Sequence, residues 1–102
     1  MYLYIISTPM TQIIKIGFWS GTILNLWNRF TTPYGKDMIM KTFKCSSIEQ
    51  EKTTHNDLKL YSYCGELYHV KYQLQLEDYC SKKFGTYEIY DKKRKLPPFS
   101  PP

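Results

Sequence analysis

At 102 residues, with 42% hydrophobic and 17% aromatic side chains, the chain has material for one modest core and not for two. That composition excludes a disordered or low-complexity protein, and no apolar run approaches membrane-spanning length. Formal net charge is +5, from 14 Lys and Arg against 9 Asp and Glu, which favours polyanionic partners. The excess is uneven, because Lys82, Lys83, Lys92, Lys93, Arg94 and Lys95 crowd the last quarter and leave the body near neutral.

Residues 2–7, YLYIIS, are rich in β-formers and predict a first strand. Thr8-Pro9-Met10-Thr11 reads as a turn, and Ile13 to Phe18 as a second strand that closes a hairpin. A register with Tyr4 opposite Lys15 sets Leu3 against Ile16 and Ile5 against Ile14, with Tyr4 and Lys15 together on the second face; other registers stay open. From Thr22 the period becomes helical, with Ile23, Leu26, Trp27 and Phe30 in one stripe, and Pro33-Tyr34-Gly35 ends it. Met38 to Cys45 is a third strand.

Ser46 with Glu49 three residues later is a capping-box pattern, opening a helix that runs to about Tyr61 with Ile48 and Leu58 on its buried stripe. Cys64-Gly65 is a turn, Glu66 to Tyr72 extended or irregular, and Leu74 to Phe84 a last short helix. The order predicts an α+β fold: a small three-stranded antiparallel sheet (β-β-α-β-α-α) flanked by helices. Residues 1–84 form the domain, and 85–102 a basic, proline-rich, disordered tail ending LPPFSPP.

Met1 to Ile6 has no basic stretch before it and is too short for a secretory core segment. Cys45, Cys64 and Cys80 are an odd count without close pairing, as free thiols in a reducing compartment would be. The expected location is intracellular, in cytoplasm or nucleus. The same cysteines with His55 and His69 supply zinc-ligand types, but no two stand in a CxxC or HxxxH spacing, so no zinc is expected.

Three features break the structural pattern. Glu51 and His55 lie one turn apart beside an apolar face, where burial without partners is costly, although an ordinary i,i+4 contact at the rim also accommodates them. Lys15, alone between isoleucines in IIKIG, must reach solvent or pair with an anion. Arg29 emerges at the edge of the first helix's apolar stripe, where snorkelling is the plain alternative.

The ordered set YLYIIS, IIKIG, Arg29 on a helix, EKTTH on a later helix and GELYHV resembles the GIY-YIG nuclease superfamily over roughly residues 2–80, with the branch typified by phage and large-DNA-virus DNA-binding domains nearest. The resemblance implies DNA binding and a Mg2+- or Mn2+-dependent endonuclease with a single metal held by Glu51. It matches Tyr4 to a tyrosine that orients or deprotonates the attacking water, Gly17 to a glycine that lets phosphate approach the backbone, and Arg29 to the arginine on the scissile phosphate. His55 and Glu66 match positions often filled similarly, with less settled roles. Three departures stand out: the first signature's glycine is replaced in Tyr2-Leu3-Tyr4, its second tyrosine is Lys15, and the Gly17-to-Arg29 spacing is long.

On their own chemistry these residues suit phosphodiester hydrolysis, a carboxylate for a hard cation and a forked guanidinium for transition-state charge. A catalytically inactive DNA-binding or protein-interaction module on the same fold is the alternative. Lys92, Lys93, Arg94 and Lys95 would add nonspecific phosphate contacts, mark a nuclear-localisation patch, or simply be solvated. Low sequence specificity follows from the lack of room for a separate recognition domain, and a protein partner would supply the rest.

Overall fold

The first strand, β1 (Tyr2–Ser7), buries Leu3, Tyr4, Ile5 and Ile6 in succession. An unbroken apolar run of this kind suits a strand covered on both faces. β1 is central: β2 (Ile13–Trp19) and β3 (Ile39–Lys44) flank it, both antiparallel. The computed structural model describes residues 1–9, 11–35, 37–46 and 49–90. Ile48 and the basic run Lys92–Lys95 therefore lie outside the described residues.

Three further strands, β4 (Ser62–Cys64), β5 (Leu67–His69) and β6 (Tyr87–Tyr90), extend the sheet to six in the order β4-β5-β2-β1-β3-β6. The α+β expectation holds, and the three-stranded sheet is corrected to six strands among the described residues. β4 and β5 have three residues each, too few for an alternation to show, and they are joined by a turn in which Gly65 adopts φ 58°. β6 pairs with β3 and stacks Tyr87 on Phe43 and Tyr90 on Trp27, with ring centroids 5.5 and 5.2 Å apart. Residues 87–90 thus belong to the sheet and not to a tail.

The hairpin register is two residues from the expected one. Tyr4 pairs with Gly17, Ile5 with Ile16 and Ile6 with Lys15. A two-residue slip keeps each side chain on its face, so Tyr4 and Lys15 do share one. The cause sits at the pair itself: a Cβ on Gly17 would lie 2.4 Å from the Tyr4 hydroxyl oxygen and 2.6 Å from Cζ. The phenol lies across the glycine, and no other residue type fits beneath it without displacement.

Both faces of the sheet are core. On one, α1 (Ile23–Tyr34) sets Leu26 and Trp27 against Tyr4, Ile6, Met38 and Met40. A fully buried tryptophan such as Trp27 contributes about 3–5 kcal/mol relative to alanine. Thr22 caps α1, its Oγ1 accepting from Asn25 N–H at 3.2 Å. The helix runs through Pro33 and ends at Gly35, whose N–H donates to Thr31 O at 2.8 Å. In the last turn a proline forfeits one hydrogen bond instead of breaking the helix.

On the other face, α2 (Glu49–Asp57), Leu58 just after it and α3 (Gln73–Phe84) cover Leu3, Ile5, Ile14, Ile16, Phe43 and Tyr68, with Thr54, Leu76 and Cys80 the buried residues of the two helices. The helix expected to reach Tyr61 stops at Asp57, and Lys59–Tyr61 continue as a single 3-10 turn. The residue that reaches back to Ser46 N–H is Gln50, at 2.7 Å, and not Glu49. Tyr79 donates to Asp57 Oδ2 and accepts from Lys83 Nζ at 3.0 Å, which clamps α3 to the end of α2. Lys41 Nζ to Glu77 Oε2, at 2.8 Å, ties β3 to α3.

Candidate functional site

The two layers meet at Glu66, just after the Gly65 turn. Its carbonyl accepts from Ile16 N–H at 3.0 Å, which fixes it beside β2. Oε1 accepts from Lys15 Nζ at 2.6 Å, and Oε2 lies 3.8 Å from His55 Nε2. His55 Nε2 is in turn 3.9 Å from Glu51 Oε2. One donor atom from each of Glu51, His55 and Glu66 falls within 4.8 Å of the others, and all three side chains are half-buried.

The separations of 3.8 and 3.9 Å exceed hydrogen-bond length, so the imidazole and the two carboxylates converge without satisfying one another. Two carboxylates and one imidazole fit a divalent cation. Carboxylate oxygens suit Mg2+, and the imidazole nitrogen tilts such a set toward Mn2+. A cavity of about 430 Å³ lined by Glu51, His55, Lys59, Ser62, Gly65 and Glu66 opens onto them.

His55 is held from behind by Phe18 of β2, ring centroids 5.9 Å apart, edge to face. His69, in contrast, accepts from Lys71 N–H through Nδ1 at 3.1 Å, capping a 3-10 turn. Cys80 is in the core, where burial pushes its thiol up to about 12. Cys64 is exposed and Cys45 half-buried, and all three cysteines are free.

Across Glu66 lies a second group, gathered around Phe30 of α1. Its ring centroid is 5.4 Å from that of Tyr4, 5.7 Å from Lys15 Nζ and 5.7 Å from Arg29 Cζ. Arg29 also lies 5.8 Å from the Trp19 ring. The guanidinium is exposed and, among the described residues, makes no ion pair. Five donors therefore face solvent from an aromatic seat.

Tyr4 is 4% exposed, and burial holds its phenol well above the usual range. Glu66 adds to the rise, Arg29 opposes it, and Tyr34 and Glu51 add smaller contributions. Burial favours the neutral phenol, the form that can donate a hydrogen bond. Lys15, the cation that would have lowered it, is spent on Glu66. The room at Gly17 on its side-chain side is filled by Tyr4, so the missing side chain makes space for the tyrosine.

The fold thus brings together Tyr4, Lys15, Gly17, Arg29, Glu51 and His55, with Glu66 as the link. Phe30 and Trp19 complete the arrangement and were invisible as site residues in the sequence, one reading as helix stripe and the other falling just beyond the expected second strand. No helix among the described residues is long and apolar enough to cross a membrane.

Over 95 residues, 92% of its length, the chain is 28% identical to uncharacterized protein R865 of Acanthamoeba polyphaga mimivirus, and it spans 14% of that relative's length. No protein-family model matches the chain. No solved structure matches it.

Proposed function

We propose that the chain is a DNA-binding domain of GIY-YIG type and a divalent-metal-dependent endonuclease. The observation that carries this reading is the convergence of a guanidinium with no ion pair among the described residues, a buried phenol and a Glu-His-Glu donor set on the two sides of Glu66. Glu51 and the free oxygen of Glu66 would hold Mg2+ or Mn2+. A bound cation supplies Lewis acidity, polarising a phosphate oxygen and making water a better nucleophile.

Arg29 binds the phosphate and meets the charge that grows on its oxygens as the water oxygen bonds to phosphorus and the P–O bond to the sugar breaks. With the cation on the two carboxylates, His55 would keep its imidazole unligated and take the proton from the attacking water. Tyr4 donates from the floor of the site and orients. Phosphates give affinity without sequence, so specificity is low and a protein partner would supply more.

Binding is tested by the affinity of a short labelled duplex across a salt series. Affinity is expected to fall with salt, and Arg29→Ala to shrink the slope of log K against log salt by about one. An Arg29→Ala chain with unchanged affinity and slope contradicts the assignment.

One observation favours a second reading, the same contacts without turnover. Lys15 stands where the family has its second tyrosine, and its charge is neutralised within the protein by Glu66 at 2.6 Å.

A further inference from the structure

We propose that Trp19 is a positioning residue for Arg29, its indole forming one wall of an aromatic seat that presents the guanidinium to a phosphate. This rests on the phosphate-binding role given to Arg29 above. The seat is built from three local facts. Trp19 Nε1 donates to Thr22 O at 2.8 Å. A Cβ on Gly21 would lie 2.9 Å from Nε1, 3.2 Å from Cε2 and 3.3 Å from Cζ2, so the indole lies flat against a position only glycine leaves open. Thr22, which holds the indole through its carbonyl, also begins α1: that carbonyl accepts from Leu26 N–H at 3.1 Å and its hydroxyl caps Asn25 N–H.

One residue therefore sets the ring and the helix that carries Arg29 in fixed relation. Arg29 reaches both rings, its Cζ 5.8 Å from that of Trp19 and 5.7 Å from that of Phe30. A carboxylate would hold an arginine in place as well, but it would consume the fork and cancel the charge. Two ring faces restrain the side chain and leave all its N–H donors for an oxyanion. The long stretch between Gly17 and Arg29 accommodates this loop and its tryptophan.

The experiment uses the full chain as wild type, Trp19→Leu, Trp19→Phe, Gly21→Ala and Arg29→Ala, together with two double variants in which Trp19→Leu or Gly21→Ala is combined with Arg29→Ala. Two readouts are taken, anisotropy of a short labelled duplex and the Arg29 Nε–Hε resonance of the free protein. Trp19→Leu and Gly21→Ala are each expected to weaken DNA binding about two- to fivefold, with Trp19→Phe between them and wild type. Neither change should weaken binding further once Arg29 is replaced by alanine, because the ring then has nothing to position.

The Arg29 resonance, shifted by two ring currents, is expected to move toward its free-arginine position in Trp19→Leu and Gly21→Ala. Equal weakening in the Arg29→Ala background would overturn the proposal and make Trp19 a contact in its own right. An unmoved Arg29 resonance would also overturn it. If Arg29→Ala binds DNA like wild type, the phosphate role itself falls, whereas a weakened Arg29→Ala beside unaffected Trp19 and Gly21 variants removes the seat alone. Unfolding followed by far-UV circular dichroism confirms that each variant is folded.

Discussion

Gly17→Ala is expected to destabilise the protein by about 1–3 kcal/mol, a large share of the stability of a domain this size. The added methyl would stand 2.4 Å from the Tyr4 hydroxyl oxygen and 2.6 Å from Cζ. Tyr4 cannot swing aside freely, since its ring is packed under α1 against Phe30 and is 4% exposed. Either the phenol is driven off its rotamer or the strands part, and both are costly. Urea unfolding reads the loss as a lower midpoint at unchanged slope. Pairing identifies the cause: Tyr4→Phe removes the hydroxyl but leaves Cζ, so the double variant should recover only part of the loss, and Tyr4→Leu should recover more. Strict additivity would mean that the strain lies elsewhere.

Arg29→Ala is expected to lower the cleavage rate by about 100- to 1,000-fold, as loss of one well-aimed transition-state donor does, with only a few-fold loss in DNA affinity. The asymmetry follows from the geometry. Ground-state affinity is shared among many phosphate contacts, whereas the charge that appears on the scissile phosphate during the reaction needs a donor at that point. Arg29→Lys keeps the charge but loses the planar fork and much of the stacking on Trp19 and Phe30, so its rate should stay well below wild type. Single-turnover rates at saturating protein separate the two effects. Arg29→Ala cutting at the wild-type rate would remove Arg29 from the chemistry.

The elements legible in the sequence are those with a long, strong period. The hairpin, α1 and α3 follow from runs such as YLYIIS and the Ile23-Leu26-Trp27-Phe30 stripe. β4 and β5 escaped because three residues carry no period, and β6 because TYEIY sits beside a basic, proline-rich stretch and is largely exposed. The register erred because hydrophobic matching treats Gly17 as empty. An aromatic side chain opposite a strand glycine is itself a pairing signal, and Tyr4 with Gly17 shows it. Helix α2 was overextended since Leu58 continues the stripe of Thr54 while the backbone has already tightened into a 3-10 turn.

The site was legible in part. Glu51 and His55 share a helix turn, so their proximity needs no tertiary information. Lys15 with Glu66 is a contact 51 residues apart in sequence, and nothing local announces it. Phe30 and Trp19 were hidden by double duty, since each packs against the core while offering a face to a cation.

The decisive measurement is nicking of supercoiled plasmid in Mn2+ by the full chain, beside Glu51→Ala. Metal-dependent conversion to open circles by the wild type, lost in Glu51→Ala while that variant still binds duplex, is the expected result. Intact plasmid under conditions where the wild type demonstrably binds DNA would contradict the nuclease assignment and leave a binding module.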